Sequence, residues 1–565
     1  MMKSFPRPIV SAMLVSAILH LLPIVSFAQW VGDGLEFNPG HTTSEMVLLP
    51  DDNGGVWVAW QSDAIRVQRY DGDGYPWFPV GGIEVFQGVP YPHGYLLGAA
   101  LDSDGNVLVG VINGTMEPDF LVYGQKIAPE GDLLWGDEGY LAAHDIEPYP
   151  LFSAPPRFLV SDEQGGIWIM WTNAGGTSMY LNGVSFDGEI KRQEDLYCGP
   201  RLFFVIRPYI LSDKAGGAYA VLADEDGHNI LAHHILPDGS LQYEEPRAVL
   251  AAPDWWPDYL HFSAPLYVKN DLQNGLFVCT KKAWQHVTFD LDTLWINEGI
   301  PPGYIYGEYY SDIVVLEDNS VAQSTNFFDN YTVMARLDSN GVSVFPEGYD
   351  TLGTPCGTME EVSFGFIQTT DRNSIYCLRT VRFGNGPGNP RNIHVQRVDL
   401  LGNDLWPDRD VLLFPPDYTS DDFNPGTNDV TVTTDDNLIF AIKNNNNFHA
   451  YLFCISPEGD IAGQNSVGDT GTNATHPETF IILNTYPNPF NREVVITLDV
   501  SVPGEYEVTF INITGQSAGS QILKLSPGKQ LFRWRPGETL ATGIYFARFS
   551  QQNHPLKTCK LVYLK

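Results

Sequence analysis

Three stretches of this 565-residue chain set carboxylates among small turn-forming residues: "DGDG" (Asp71–Gly74), "DSDGN" (Asp102–Asn106) and "ADEDGHN" (Ala223–Asn229). Calcium takes about six to eight oxygens, and an EF-type loop adds a distal glutamate at fixed spacing. None of the three has that set, so hairpin turns are the plainer reading, structural calcium is the alternative, and no cofactor is expected. His228, His233 and His234 cluster in "GHNILAHHILPDG" (Gly227–Gly239). Neighbours on a strand point to opposite faces, so His233 and His234 would not share a metal, and packing or surface histidines are expected. Ser517 lies in "GQSAG" (Gly515–Gly519), which fits the letters of a serine elbow. Such an elbow needs a helix after its strand, and "SQILKL" (Ser520–Leu525) reads as another strand. Glycoside hydrolysis would use a carboxylate pair roughly 5–10 Å apart, but 68 acidic residues offer no basis for choosing one. No catalytic, cofactor-binding or metal residue is assigned, and a non-enzymatic role is the favoured expectation.

Whatever these residues do, they sit in an acidic, aromatic-rich chain. Lys and Arg number 32 against 68 Asp and Glu, a formal charge of −36. That balance opposes binding to nucleic-acid phosphates. Apolar residues make up 43%, enough for a large core and against disorder. The first residues place Lys3 and Arg7 before an apolar run from Ile9 to Val25, with Ser26 and Ala28 before Gln29. This is the layout of a signal peptide over residues 1–28, and no later run is long and apolar enough to span a bilayer. Residues 477–565 hold nine basic and six acidic residues, so the excess acid lies in the body, at 21 basic and 62 acidic over 29–476. The six cysteines, at 198, 279, 356, 377, 454 and 559, show no CxxC spacing. Buried thiols are expected, with a Cys356–Cys377 bridge as the alternative.

Two elements recur along the body. The first is a strand, an acidic or asparagine turn and a second strand, as in "MVLLPDDNGGVWVAW" (Met46–Trp60), "RFLVSDEQGGIWIMW" (Arg157–Trp171) and "VTVTTDDNLIFAIK" (Val430–Lys443). The second begins some 20–30 residues later, as in "QRYDGDGYPW" (Gln68–Trp77), "KIAPEGDLLW" (Lys126–Trp135) and "QRVDLLGNDLW" (Gln396–Trp406). Each occurs eight times, with unit starts 46–64 residues apart. Asp-Gly, Asn-Gly and Gly-Gly pairs favour tight hairpins, and strands apolar on both faces must be covered on both. Four short strands per unit, stacked face to face around an axis, predict an all-β, eight-bladed β-propeller, seven-bladed if one weak copy is no true blade. Trp57, Trp168, Leu276 and Phe440 should occupy equivalent rungs. "QWVGDGLEF" (Gln29–Phe37) resembles the tract "LLWGDEGYLAA" (Leu133–Ala143), so the first strand should complete the last blade. The repeats resemble those of many bacterial exported propeller-like proteins, a likeness that implies fold alone.

After the polar stretch Gly463–Thr479 the rhythm changes to about seven short strands, an Ig-like β-sandwich. Four separated motifs there, "YPNPFN" (Tyr486–Asn491), "INITGQ" (Ile511–Gln516), "ATGIYFARF" (Ala541–Phe549) and "KLVYLK" (Lys560–Lys565), closely resemble the type A C-terminal sorting domain of the type IX secretion system of Bacteroidota and related bacteria. On that resemblance the motif residues are Tyr486, Pro487, Asn488, Pro489, Phe490, Asn491, Gly515, Gln516, Gly543, Tyr545 and Lys560. It implies export, recognition of the tail by the type IX secretion machinery, and release or attachment to the outer surface of the outer membrane.

The expected organisation is a signal peptide (1–28), a propeller (29–467), a linker (468–480) and a sorting domain (481–565). The body is expected to be a binding or structural scaffold. Aromatic tracts at Ala252–Phe262, Gly299–Tyr310 and Leu413–Gly426 are candidates to meet a surface glycan or protein ligand. The alternative is a secreted hydrolase or lyase acting on glycans.

Overall fold

The computed structural model describes residues 30, 34–39, 41–87, 94–113, 120–146, 158–172, 179–196, 208–224, 229–251, 266–296, 299–300, 310–327, 331–352, 360–382, 391–406, 411–413, 429–443, 449–462, 480–486, 490–500, 504–512, 517–525, 528–537, 540–551 and 554–565. The signal peptide, most of the linker, Cys198 and Cys356 lie outside them. Among the described residues every regular element is a β-strand, and no helix is long and apolar enough to cross a membrane. The chain divides into two compact units, 1–464 and 465–565.

The larger unit is a succession of eight antiparallel sheets. The first comprises Met46–Pro50, Val56–Gln61, Ile65–Tyr70 and Ile83–Glu84, paired in chain order. Later sheets open with Gly94–Leu101, Leu159–Ser161, Tyr209–Ser212, Leu266–Asn270, Tyr310–Val315, Glu360–Gln368 and Asp429–Val432. The two sequence elements are, in each sheet, the first hairpin and the turn between the third and fourth strands. Each opening strand lies beside the opening strand of the next sheet, and Asp429–Val432 returns to Met46–Pro50. The result is a propeller-like ring.

Apolar residues on both faces of the second strand are what hold the ring together. In the first sheet Trp57 and Ala59 pack with Val107 and Val109 of the second, while Val56 and Val58 pack with Ile439 and Ala441 of the eighth. A strand exposed on either side would leave one of these sets in water. Trp57 and Trp168 share a rung, each paired one position inside its hairpin. The equivalent residues in the fifth and eighth sheets are Phe277 and Ile439, not Leu276 and Phe440, because Asn270 pairs with Leu276 and Val432 with Leu438 at the innermost step. One residue of register moves a side chain to the opposite face, so Leu276 and Phe440 pack on the other neighbour.

The fifth sheet has three strands. Its fourth is reduced to a bridge between Trp284 and Ile300. Pro301 and Pro302 follow directly, and proline has no N–H to continue a ladder.

Closure joins the two ends of the unit. Leu35–Glu36 pairs with Ala450–Ile455 as the outer strand of the eighth sheet. Trp30 is buried, donates its indole N–H to the carbonyl of Gly72 at 2.8 Å and lies against Tyr70. Gly74 has a φ of +82°, and a Cβ there would come 2.6 Å from the Trp30 nitrogen; the turn accepts Trp30 only with glycine at this position.

The smaller unit pairs Phe480–Tyr486, Val494–Val500 and Gly528–Trp534 in one sheet, and Ser517–Leu525, Gly504–Asn512, Gly543–Gln551 and His554–Tyr563 in another. Side chains from both sheets meet in a single core. Ser517 opens a strand, so no helix follows it.

Replacing Trp30 by alanine removes both the closing hydrogen bond and a buried ring. The expected cost is about 3–5 kcal/mol, measured by denaturant unfolding, with amide exchange accelerated first in the eighth and first sheets.

Candidate functional site

Of the carboxylates in the three acidic stretches, those of Asp71, Asp102 and Asp224 hold partners within the fold. In the second to fifth sheets the residue opening the first turn is an aspartate whose Oδ1 accepts backbone N–H groups two and four residues on, and Asp51 of the first accepts the N–H of Asn53. Asp102 takes those of Asp104 and Asn106 at 2.9 Å each. Asp162 takes those of Gln164 and Gly166 at 2.8 and 2.7 Å. Such turns are what Asp forms when the backbone must reverse tightly. Asp71 caps the second turn of the first sheet in the same way, binding the N–H groups of Asp73 and Tyr75. Among the described residues no group of three or more His, Cys, Asp or Glu could hold a metal ion.

The other oxygen of each turn aspartate meets a basic side chain. Arg69, on the third strand, donates Nε–H to Asp51 Oδ2 at 2.8 Å and Nη2–H to Oδ1 at 3.0 Å. Lys126 Nζ stands 2.7 Å from Asp102 Oδ2. In the third sheet that position is Gly183, where a Cβ would strike the Trp168 ring at 2.5 Å; Lys191 reaches Asp162 Oδ2 from the fourth strand instead, at 2.7 Å. The fourth and fifth sheets use His234 on Asp213, at 3.0 Å, and His286 on Asp271, at 2.7 Å. In the sixth, Arg336 binds Asp318, two residues further along the turn, and Ser320 Oγ. Thr369 replaces the aspartate in the seventh, and Arg397 donates to Ser374 Oγ at 2.9 Å. The eighth has Thr433 in the turn and buried Cys454 at the cation position, both neutral.

Several cations also reach the next sheet. Arg69 donates to the Pro129 carbonyl, Lys126 to Gly165, Arg336 to Leu400 and Arg397 to Pro457. The tryptophans of the second element do the same: the indole N–H of Trp135 goes to Phe186, of Trp295 to Ser339 and of Trp406 to Pro457. The turn end of the ring is thereby stitched sheet to sheet.

These contacts set the titration of the carboxyls. Burial pushes Asp102 up, but hydrogen bonds from Lys126 and Asn106 outweigh it and hold the group below the ordinary aspartate range. Asp213 and Asp271 are likewise raised by burial and brought below that range by His234, His286 and their turn amides. Burial pushes the thiols of Cys377 and Cys454 up to about 12. Cys279, Cys377 and Cys454 are free buried thiols, so Cys377 forms no bridge.

His233 and His234 do take opposite faces of their strand, paired to Ala220 and Tyr219, and both are buried. His228 lies outside the described residues, as do the aromatic tracts except for Gly299, Ile300, Tyr310 and Leu413. By strand direction, the connections between second and third strands and between consecutive sheets leave from the end opposite the stitched turns.

In the smaller unit, several motif residues converge. Phe490 is buried, with its ring 5.7 Å from Trp534 and 5.3 Å from Tyr563. Its N–H donates to Val562 and its carbonyl accepts from Leu564, so Phe490 docks beside the last strand. Tyr545 is buried edge-on to Trp534 and donates its hydroxyl to Ala541. Trp534 stacks on Phe510 at 4.0 Å; Phe510 belongs to the alternating apolar face of Tyr506, Val508 and Phe510 that is legible in sequence, whereas Trp534 was not singled out. Gly543 opens its strand opposite Tyr563 with open space where a Cβ would be. Tyr486 ends its strand opposite Val495, Lys560 pairs with Phe546, and Asn491 is exposed. Pro487, Asn488, Pro489, Gly515 and Gln516 lie outside the described residues.

Residues 484–563 match the family described as the secretion system C-terminal sorting domain. No curated protein matches the chain. Among solved structures it is similar to PorZ, a surface component of the type IX secretion system of Porphyromonas gingivalis, at 9% identity over 94% of this chain and all of that one, with a TM-score of 0.28. It is also similar to YCF48 of Cyanidioschyzon merolae, at 11% identity over 62% of this chain and 96% of that one, TM-score 0.33. A quinonprotein alcohol dehydrogenase-like protein of Bacteroides thetaiotaomicron matches at 10% identity over 77% and 92%, TM-score 0.33. Likenesses this distant carry no conclusion about what the chain does.

Two outcomes are expected. Arg69→Ala strands the Asp51 carboxylate in the turn and should cost about 3–5 kcal/mol in denaturant unfolding. For Asp102, Asp213 and Asp271 the folded carboxyl binds protons less readily than the unfolded one. Their stabilisation is therefore complete above the unfolded aspartate value, about 3.9, and is lost as pH falls through the lower folded values. Acid unfolding of wild type should be steeper than that of Asp102→Asn.

Proposed function

We propose that this chain, a cargo of the type IX secretion system that is exported and released or held at the outer surface of the outer membrane, works there as a binding scaffold. The body is read as an eight-bladed β-propeller over 29–467, joined by a linker (468–480) to an Ig-like sandwich (481–565) that carries the sorting signal. The observation that supports the scaffold reading is the division between the two ends of the ring. At one end aspartates, cations and indoles are engaged with one another and with neighbouring turns. From the other leave the connections that carry Trp255, Trp256, Tyr259, Tyr304, Tyr306 and Tyr418 in the sequence. Exposed Trp and Tyr stack on sugar rings and anchor protein partners, so the ligand class is a surface glycan or a surface protein.

In the tail, Phe490, Tyr545 and the last strand are read as the folded signal, with Tyr486, Pro487, Asn488, Pro489, Asn491, Gly515, Gln516, Gly543 and Lys560 as the other motif positions. Among the described positions, Phe490 bonds to Val562 and Leu564, Gly543 pairs with Tyr563 and Tyr545 with Leu561, all on the C-terminal strand or next to it, which supports this reading.

Deleting Tyr486–Lys565 should leave the body folded and trapped in the periplasm, measured by fractionation; undiminished surface delivery would contradict the routing. A glycan array and a pull-down with the purified body test the scaffold. Binding supports it, two blank results overturn it, and turnover of a polysaccharide would replace it with the hydrolase or lyase reading. In the tail, Phe490→Ala should destabilise the unit by about 3–5 kcal/mol, visible as faster proteolysis and reduced export.

A further inference from the structure

The joint between the fourth and fifth sheets differs from most of the ring in the group that meets its turn aspartates. In the first, second, third, sixth and seventh sheets the clamp uses Arg69, Lys126, Lys191, Arg336 and Arg397; here it uses imidazoles. His234 is fully enclosed, and both of its ring nitrogens face oxygen. Nε2 stands 3.0 Å from Asp213 Oδ2, whose partner oxygen is filled by the N–H groups of Ala215 and Gly217. Nδ1 faces Gln242 Oε1. The Gln242 amide cannot be turned round without loss, because its Nε2 donates to Asp290 Oδ1 of the fifth sheet at 2.8 Å. Oxygen on both sides requires a proton on both nitrogens.

We propose that this joint is proton-dependent, with His234 serving as its cation only while both ring nitrogens are protonated. The chain Asp213–His234–Gln242–Asp290 then runs unbroken from one sheet to the next.

The surroundings ask for that charge. Tyr219 stacks on His234 at 4.5 Å, and Phe289 of the fifth sheet packs edge-on at 4.8 Å. The carboxylates facing the pair are Asp213, Asp271 and Asp290, and with burial they push the Tyr219 phenol up. Arg247 is already engaged by Asp292 and the Asp290 carbonyl. Tyr243 donates its hydroxyl to that same carbonyl. His286 offers a built-in contrast: its Nε2 meets Asp271, but its buried Nδ1 has no hydrogen-bond partner among the described residues. One proton satisfies His286, whereas His234 needs two.

Losing the second proton leaves Nδ1 and Gln242 Oε1 as facing acceptors and Asp213 without a counter-charge. The joint is therefore held while the ring carries both protons, and that stabilisation is present at low pH and lost as pH rises. The acid side is bounded separately by the carboxyl of Asp213.

Two measurements on the full exported chain test this. With 15N-labelled histidine, the signal that disappears in His234→Arg should report two N–H groups at about pH 6, near the ordinary imidazole range; a neutral ring there overturns the proposal. In hydrogen exchange, the ratio of wild-type to His234→Arg rates over Ala218–Ala223 and Asn229–Ile235 should be near one at low pH. It should climb as pH rises, by no more than about tenfold per pH unit, and level off once the folded joint has lost the proton. A ratio flat to about pH 9, well beyond that range, overturns the proposal. If the arginine variant does not fold, His234→Lys serves the same comparison, and His234→Gln identifies the resonance.

Discussion

The constraint on which the larger unit depends is the clamp between the first turn of a sheet and its own third strand. A turn aspartate uses one oxygen to fold the backbone and the other to hold a cation, which in several sheets reaches on to a carbonyl of the neighbour. Burying such a pair costs about as much desolvation as its attraction returns, so its net contribution to stability is small. What it supplies is geometry. A turn of the wrong shape, a third strand out of register or a neighbour set at the wrong angle each leaves a charge without its partner, and that is expensive.

The ring follows from the same logic applied to apolar surface. A second strand with Val56 and Val58 on one side and Trp57 and Ala59 on the other cannot end a stack. Every sheet therefore requires two neighbours, and eight sheets satisfy that only by returning to the first. Trp30 and Leu35–Glu36 complete the return by giving the eighth sheet an outer strand from the other end of the chain. The indole of Trp30 on Gly72 repeats what Trp135 does on Phe186, which is why a segment far from the repeats in sequence reads like a fragment of one.

Much of this was legible because the turn chemistry is spelled in consecutive residues. Asp, Gly and Asn at fixed offsets marked all eight first hairpins, and the Leu-Trp ending marked the start of outer strands. The clamps were not legible, since their second member is about 15–30 residues away, changes among Arg, Lys and His, and in the third sheet moves to a different strand because Trp168 fills the space above Gly183. The misplaced rungs at Leu276 and Phe440 share one cause. With apolar residues on both faces there is no alternation to read, and register is fixed by pairing across the turn. In the tail, Trp534, which packs against both Phe490 and Tyr545, lies between the motifs and is visible only once two sheets face each other.

The variation among clamps carries a further consequence for how the ring behaves as a unit. The first, second and sixth sheets pair Arg or Lys with Asp and anchor the cation to the next turn, the seventh joins Arg397 to a hydroxyl, and the eighth dispenses with charge altogether at Thr433 and Cys454. A closed ring distributes any loosening of one joint over its neighbours, but opening starts where the joint depends least on fixed charge. The eighth sheet offsets its neutral clamp with the covering strand and with Asp429, which accepts the N–H of Leu48 from the first sheet at 2.8 Å. The fourth and fifth have no such strap: the fifth lacks a complete outer strand, and Gln242, Tyr243 and Arg247 all converge on the single residue Asp290. Beside the apolar packing of that joint and the Tyr219 hydroxyl at Asn274 and Phe289, the polar path from Asp213 to Asp290 is short, and the protonation of His234 decides whether that path is continuous.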